Sequence, residues 1–185
     1  MNIFLIGLPQ SGRTTTAKAL QSDKLGYFDL LESFNRKFSK LSFSSDDDRN
    51  SFYHEKFISH LRGEVEYFTK HVNIENSIID NVISPRDFST LFDYNNDYVV
   101  FLNRIDGDAS VEDYQMIGVS VIRDYCFWLA SAGLLPADRW IEYKYRMSDD
   151  DTSFSKKLGA KNSVFIVKSF KKMLSHLEET IKKAI

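Results

Sequence analysis

The 185-residue chain is 43% hydrophobic, which is enough for one compact domain with a substantial core, so residues 1–185 are expected to form a single domain. Its 24 basic and 26 acidic residues leave a formal net charge of −2, no electrostatic footprint for a polyanion held over a large surface, so no bulk nucleic-acid binding is expected. Cys126 is the single cysteine, which excludes an internal disulfide; set in Tyr125-Cys126-Phe127-Trp128, it reads as core packing and suits a reducing compartment.

The chain opens into Ile3-Phe4-Leu5-Ile6, with no basic leader and too short an apolar run for a signal peptide or a membrane span. A cytoplasmic protein with no membrane partner is expected. Residues 2–6 form a strand that ends at a glycine-containing turn, and Arg13 to Gln21 have helix-forming composition with no breaker. Gly26 to Leu30 is a second short strand, and Leu31, Phe34 and Phe38 give a helical spacing over residues 31–41 before the acidic loop Asp46-Asp47-Asp48. From Phe52 to about Val72, Phe57, Ile58, Leu61, Val65 and Phe68 recur every three or four residues, predicting a long amphipathic helix.

Ser77-Ile78-Ile79-Asp80 is the third strand, and Ser84-Pro85-Arg86-Asp87 opens a short helix reaching about Phe92, with Pro85 suited to the first turn. Asp97 to Leu102 is a continuous apolar strand of the kind buried on both faces of a parallel sheet. Ser110 and Asp113 resemble a capping box for a helix that runs to Ala132, closes at Gly133 and precedes Pro136. Trp140 to Arg146 alternates large apolar with charged residues, as an edge strand or hairpin arm does. Beyond the acidic loop Asp149-Asp150-Asp151, Ser163 to Val167 reads as a last buried strand and Phe170 to Lys183 as a closing amphipathic helix. This rhythm predicts an α/β protein built of βαβ units, with a mostly parallel five-stranded sheet and helices on both faces.

Gly7-Leu8-Pro9-Gln10-Ser11-Gly12-Arg13-Thr14 has the frame G-x-x-x-x-G-basic-[ST] between a strand and a helix. Gly7 and Gly12 let the backbone curl so that successive N–H groups point inward, and the following helix adds its positive dipole end, a cradle for the phosphates of ATP. The binding set is therefore Gly7, Pro9, Gln10, Ser11, Gly12, Arg13, Thr14 and Thr15, with the Thr14 hydroxyl offered to Mg2+. Arg13 departs from the consensus lysine: its guanidinium is longer and planar, and must fit a fork where a point charge normally reaches the β- and γ-phosphates. The competing reading is a plain glycine-bearing strand-to-helix turn. Phe34, Phe38, Phe43, Tyr53 and Phe57 could stack on a base or simply pack in the core. His54, His60, His71 and His176 have no second liganding group at zinc spacing apart from the nearby Glu55 and Glu178, so no zinc site is expected.

On these residues the chain resembles the P-loop nucleoside monophosphate kinases, including the deoxynucleotide monophosphate kinases of bacteriophages and adenylate kinase-like proteins. Two further segments carry the likeness. Ile78-Ile79-Asp80-Asn81-Val82-Ile83-Ser84-Pro85-Arg86 is similar to the family's strand ending in aspartate followed by Pro-Arg, and Asp29-Leu30-Leu31-Glu32-Ser33-Phe34-Asn35-Arg36 to the segment whose arginine contacts the acceptor phosphate.

The resemblance implies a three-layer P-loop fold and ATP with Mg2+ as cofactors. Asp80 would be a catalytic and metal-site residue beside Thr14, orienting metal-bound water, while Asp29, Arg36 and Arg86 would hold the monophosphate. Arg104 or Arg123 would join Arg13 at the transferring phosphoryl group, with Arg139 and Arg146 as further arginines after the fourth strand. Each arginine taken singly also suits a solvated or salt-bridged surface role. Two functions follow: a kinase acting on a (deoxy)nucleoside monophosphate, or a kinase-fold module that binds nucleotide and has lost catalysis, with Arg13 separating them. The oligomeric state stays open, a homodimer included.

Overall fold

The computed structural model describes residues 1–30, 32, 40–45, 47–49, 51–52, 75–82, 84–106, 113–146, 154–158 and 161–184. Arg36, the helix expected over 52–72, most of the one expected over 31–41, Ser110 and the loop at 149–151 lie outside the described residues.

The strands are β1 (Ile3–Gly7), β2 (Gly26–Asp29), β3 (Ser77–Asp80), β4 (Tyr98–Arg104), β5 (Trp140–Tyr145), β6 (Phe154–Leu158) and β7 (Ser163–Val167). The described helices are α1 (Arg13–Leu20), α2 (Pro85–Leu91), α3 (Asp113–Ser131) and α4 (Phe170–Ala184). The strands form one sheet in the order β2-β3-β1-β4-β5-β7-β6. All neighbours pair in parallel except β6, which runs antiparallel to β7.

Two features correct the expected five-stranded sheet. Trp140–Tyr145 is neither edge strand nor hairpin arm: β5 lies between β4 and β7 and pairs in parallel with both. Residues 154–158, to which the sequence reading assigned no element, form the edge strand β6.

Every residue of β1 is buried, and its alternation feeds two cores. Ile3 and Leu5 face a cluster containing Ala17 and Leu20 of α1 and Met173, Leu177 and Ile181 of α4; Phe4 and Ile6 face one containing Phe88 of α2 and Ile122, Cys126 and Leu129 of α3. A strand with apolar residues on both faces must be covered on both, so this pattern forces three layers. Cys126 sits in the second core, where burial pushes its thiol well above the usual range and leaves it unreactive. In α4, Met173, Leu177 and Ile181 recur every fourth residue, each contributing about 1.5–3 kcal/mol by burial.

Helix boundaries follow local chemistry. Ser84 caps α2 by accepting from the Asp87 N–H at 3.4 Å, with Pro85 in the first turn. Gly133, with φ +74°, takes the left-handed conformation that ends α3. Among the described residues, no helix is long and apolar enough to cross a membrane.

The chain leaves the carboxyl ends of β1 and β4 in opposite directions across the sheet, β1 towards β2 and β4 towards β5. These two strands are hydrogen-bonded neighbours, with Gly7 opposite Leu102. A crevice at the carboxyl ends of such a strand pair is where open α/β sheets bind ligands.

Candidate functional site

The segment from Gly7 to Thr14 crosses that crevice. Gly7 has no room for a side chain: a Cβ there would lie 2.6 Å from the Leu102 carbonyl oxygen and 2.6 Å from Ser11 Oγ. Gln10 and Gly12 both have positive φ, +61° and +77°, which turns the backbone twice within three residues. For Gln10 this is a strained conformation of the kind that concentrates at ligand sites. Ser11 is pinned on both sides, its N–H donating to the Leu8 carbonyl at 3.1 Å and its carbonyl accepting from the Tyr145 hydroxyl.

Helix α1 starts at once behind Gly12, which caps it without a side chain, and its first turn holds no acidic residue. Thr16 is the first residue whose N–H reaches a helical carbonyl, that of Gly12 at 2.8 Å. The amides of Arg13, Thr14 and Thr15 therefore belong to the open first turn, whose donors and dipole favour an anion. Ser11 Oγ is buried with no hydrogen-bond partner.

On the α1 side of the loop, four side chains converge. Asp80, the last residue of β3, is fully buried, and both its oxygens are engaged. Oδ2 accepts from the Thr14 hydroxyl at 2.9 Å and the Tyr27 hydroxyl at 3.4 Å; Oδ1 accepts from the Asn81 N–H at 2.7 Å and lies 3.4 Å from Arg13 Nη1. Tyr27 also donates to Asp29 Oδ2 at 3.2 Å. Burial first, then the Asp80 and Asp29 carboxylates, push the Tyr27 hydroxyl up, so it keeps its proton, a single donor shared between the two. Asp29 ends β2 opposite Asp80, and its Oδ1 accepts from Asn81 Nδ2 at 2.7 Å.

On the α3 side lies a cavity of about 200 Å³ whose polar walls include Ser11, Asn103, Arg104, Arg123, Glu142 and Lys144. Arg104 ends β4, donates to Asp106 at 3.0 Å and reaches the Gln10 carbonyl at 3.4 Å, so it braces the loop itself. Arg123 projects from α3 onto buried Glu142 of β5 as a bidentate fork of 2.8 and 2.9 Å.

The expected residues thus divide. Thr14, Arg13 and Asp80 meet on one side of the loop with Asp29 next to them, and Arg104 and Arg123 line the cavity on the other. Arg86 is exposed in the first turn of α2, and Arg146 is exposed just past β5. Arg139 precedes β5, at the amino ends of the strands, with its guanidinium 6.0 Å from the Tyr98 ring centre, so it stands away from the loop. Sequence reasoning missed Tyr27, Glu142, Lys144 and Tyr145. The charged residues Glu142 and Lys144 within a strand of large apolar side chains were the available signal.

Thr14 and Asp80 are oxygen donors of the kind Mg2+ takes. A metal bound directly to Asp80 would compete with three hydrogen-bond donors and with the Arg13 guanidinium already beside the carboxylate.

Comparison with known proteins brings no match, neither to a protein-family model nor to a curated protein.

Proposed function

We propose that this protein binds a nucleoside triphosphate on the loop from Gly7 to Thr15 and transfers its γ-phosphoryl group to a (deoxy)nucleoside monophosphate. The observation that carries the reading is the joining of a doubly turned loop to an uncapped helix start at the carboxyl end of β1, with the Thr14 hydroxyl on Asp80 of the adjacent strand. Open amides at Arg13, Thr14 and Thr15 are the donors a β-phosphate needs, and the helix dipole adds to them. The cavity walled by Arg104, Arg123 and Lys144 lies against the same loop and supplies cations where a second phosphorylated molecule would approach. Phosphoryl transfer rests mainly on positioning and charge stabilisation, and this chain provides both kinds of group around one crevice.

A second reading has its own observation. Arg13 lies on Asp80, not across the loop, which favours a module that binds nucleotide without turning it over. One experiment tests both: incubate the purified protein with ATP, Mg2+ and each common monophosphate, and follow diphosphate formation. Transfer to one monophosphate supports the kinase. Triphosphate binding without transfer to any of them leaves the binding module.

A further inference from the structure

From the environment of Asp80 we infer that Arg13 is a built-in counter-cation, and that triphosphate binding at this loop does not depend on a divalent metal. The inference rests on the nucleotide-binding reading above and adds what neutralises the site.

Asp80 is fully buried, so its negative charge requires compensation within the protein. Arg13 supplies it at 3.4 Å, with its own side chain only 12% exposed. The other three positions around the carboxylate are held by the Asn81 N–H and the Thr14 and Tyr27 hydroxyls. A magnesium ion coordinates oxygen at about 2.0–2.1 Å in near-octahedral geometry, so reaching either Asp80 oxygen means evicting one of these donors. Displacing the guanidinium parts a cation whose side chain is only 12% exposed from its counter-ion.

Arginine carries its charge on a delocalised guanidinium. Its planar group carries five N–H donors, and the contact with Asp80 involves Nη1. Arg13 is also the first residue of α1, directly behind the loop. A guanidinium can therefore bridge carboxylate and phosphate, the linking role a metal ion and its water would otherwise perform. Lysine at this position has a single compact charge on a flexible stem, and committing that charge to phosphate leaves Asp80 without its cation.

The test is calorimetric affinity for a non-hydrolysable ATP analogue, with Mg2+ and again with excess EDTA, for the unsubstituted protein and for Arg13→Lys. The unsubstituted protein should bind with affinities within about threefold of each other, whereas Arg13→Lys should lose about tenfold or more when the metal is removed. Binding by the unsubstituted protein that disappears in EDTA overturns the counter-cation role while leaving the loop as the nucleotide site. An equal metal response in the two proteins overturns it as well. Absence of binding under every condition defeats the nucleotide-binding reading, and this inference with it. The unsubstituted protein decides the first point alone, so poor folding of the lysine variant, checked by its melting temperature, does not rescue the idea.

Discussion

Gly12 is the residue at which loop geometry and global stability are most directly joined, and its replacement by alanine has a cost that separates into two parts. Its φ of +77° lies in the left-handed region, where an L-residue loses about 1–2 kcal/mol. A Cβ would also stand 2.7 Å from Cε2 of Phe170, a ring that packs on Tyr145 with centroids 5.7 Å apart. Overpacking of that kind costs about 1–3 kcal/mol. Gly12→Ala is therefore expected to destabilise by about 2–5 kcal/mol in total.

Gly133 provides the control, because its φ is +74° and a Cβ there meets nothing within 4 Å. Gly133→Ala should show the backbone part alone, about 1–2 kcal/mol. Urea unfolding of the two variants measures the difference, and for a domain of this size each kcal/mol also lowers Tm by about 2–4 °C. A double-mutant cycle with Phe170→Leu, which removes the distal ring atoms, should give a favourable coupling of about 0.5–3 kcal/mol. Equal losses at Gly12 and Gly133, or no coupling to Phe170, would refute the claim that the closing helix wedges the loop.

Arg123→Ala leaves Glu142 buried without its bidentate partner and is expected to cost about 1–3 kcal/mol by chemical denaturation, with Glu142→Gln in the same background recovering part of it. Asp80→Asn should lower Tm as well as any phosphoryl transfer, because Arg13 loses its partner inside the protein; an unchanged Tm with activity gone would assign Asp80 to chemistry alone. His176 is held below its ordinary pKa of 6.5, chiefly by burial, and its Nδ1 pairs with the Tyr143 hydroxyl at 2.7 Å. The unfolded chain then binds the proton more readily, so stability present above pH 6.5 should fall as the pH drops through the depressed value. Melting temperatures from pH 8 to about pH 5 should show that slope, and His176→Asn should flatten it.

The layers were legible because they depend on periodicity. The continuous runs Ile3–Ile6 and Asp97–Leu102 can only be strands covered on both faces, and Met173, Leu177 and Ile181 fix the buried stripe of α4. One segment was misread and one went unassigned, and both owe their state to pairings that local pattern does not show. Trp140–Tyr145 looks like a one-sided strand until Glu142 is seen to pair with Arg123, nineteen residues upstream, which lets a charge sit inside the sheet. Phe154–Leu158 holds two lysines in five residues, which gives no strand signal, and it becomes a strand through antiparallel pairing with β7. At the site, glycine spacing located the loop. The contact of Arg13 with Asp80 spans 67 positions and left no local signal, so the guanidinium was expected on phosphate and lies on a carboxylate.

That contact belongs to a wider pattern. Three arginines around the crevice each rest on a carboxylate: Arg13 on Asp80, Arg104 on Asp106 and Arg123 on Glu142. A phosphate entering the crevice cannot simply add its attraction to these groups, because it must share them with, or take them from, an existing anion. Exchanging one ion pair for another returns little free energy, so the net gain has to come from groups without a competing acceptor. The open amides at the start of α1 are such groups, and they are positioned by backbone geometry. On the proposed reading, the shape of the loop, with Gly7, Gln10 and Gly12 at its turns, would matter more to phosphate affinity than the number of nearby cations. On that reading the arginines would set which anion is tolerated: two or three charged oxygens can divide a planar guanidinium with the resident carboxylate, whereas a single charge has nothing to offer that the carboxylate does not already provide.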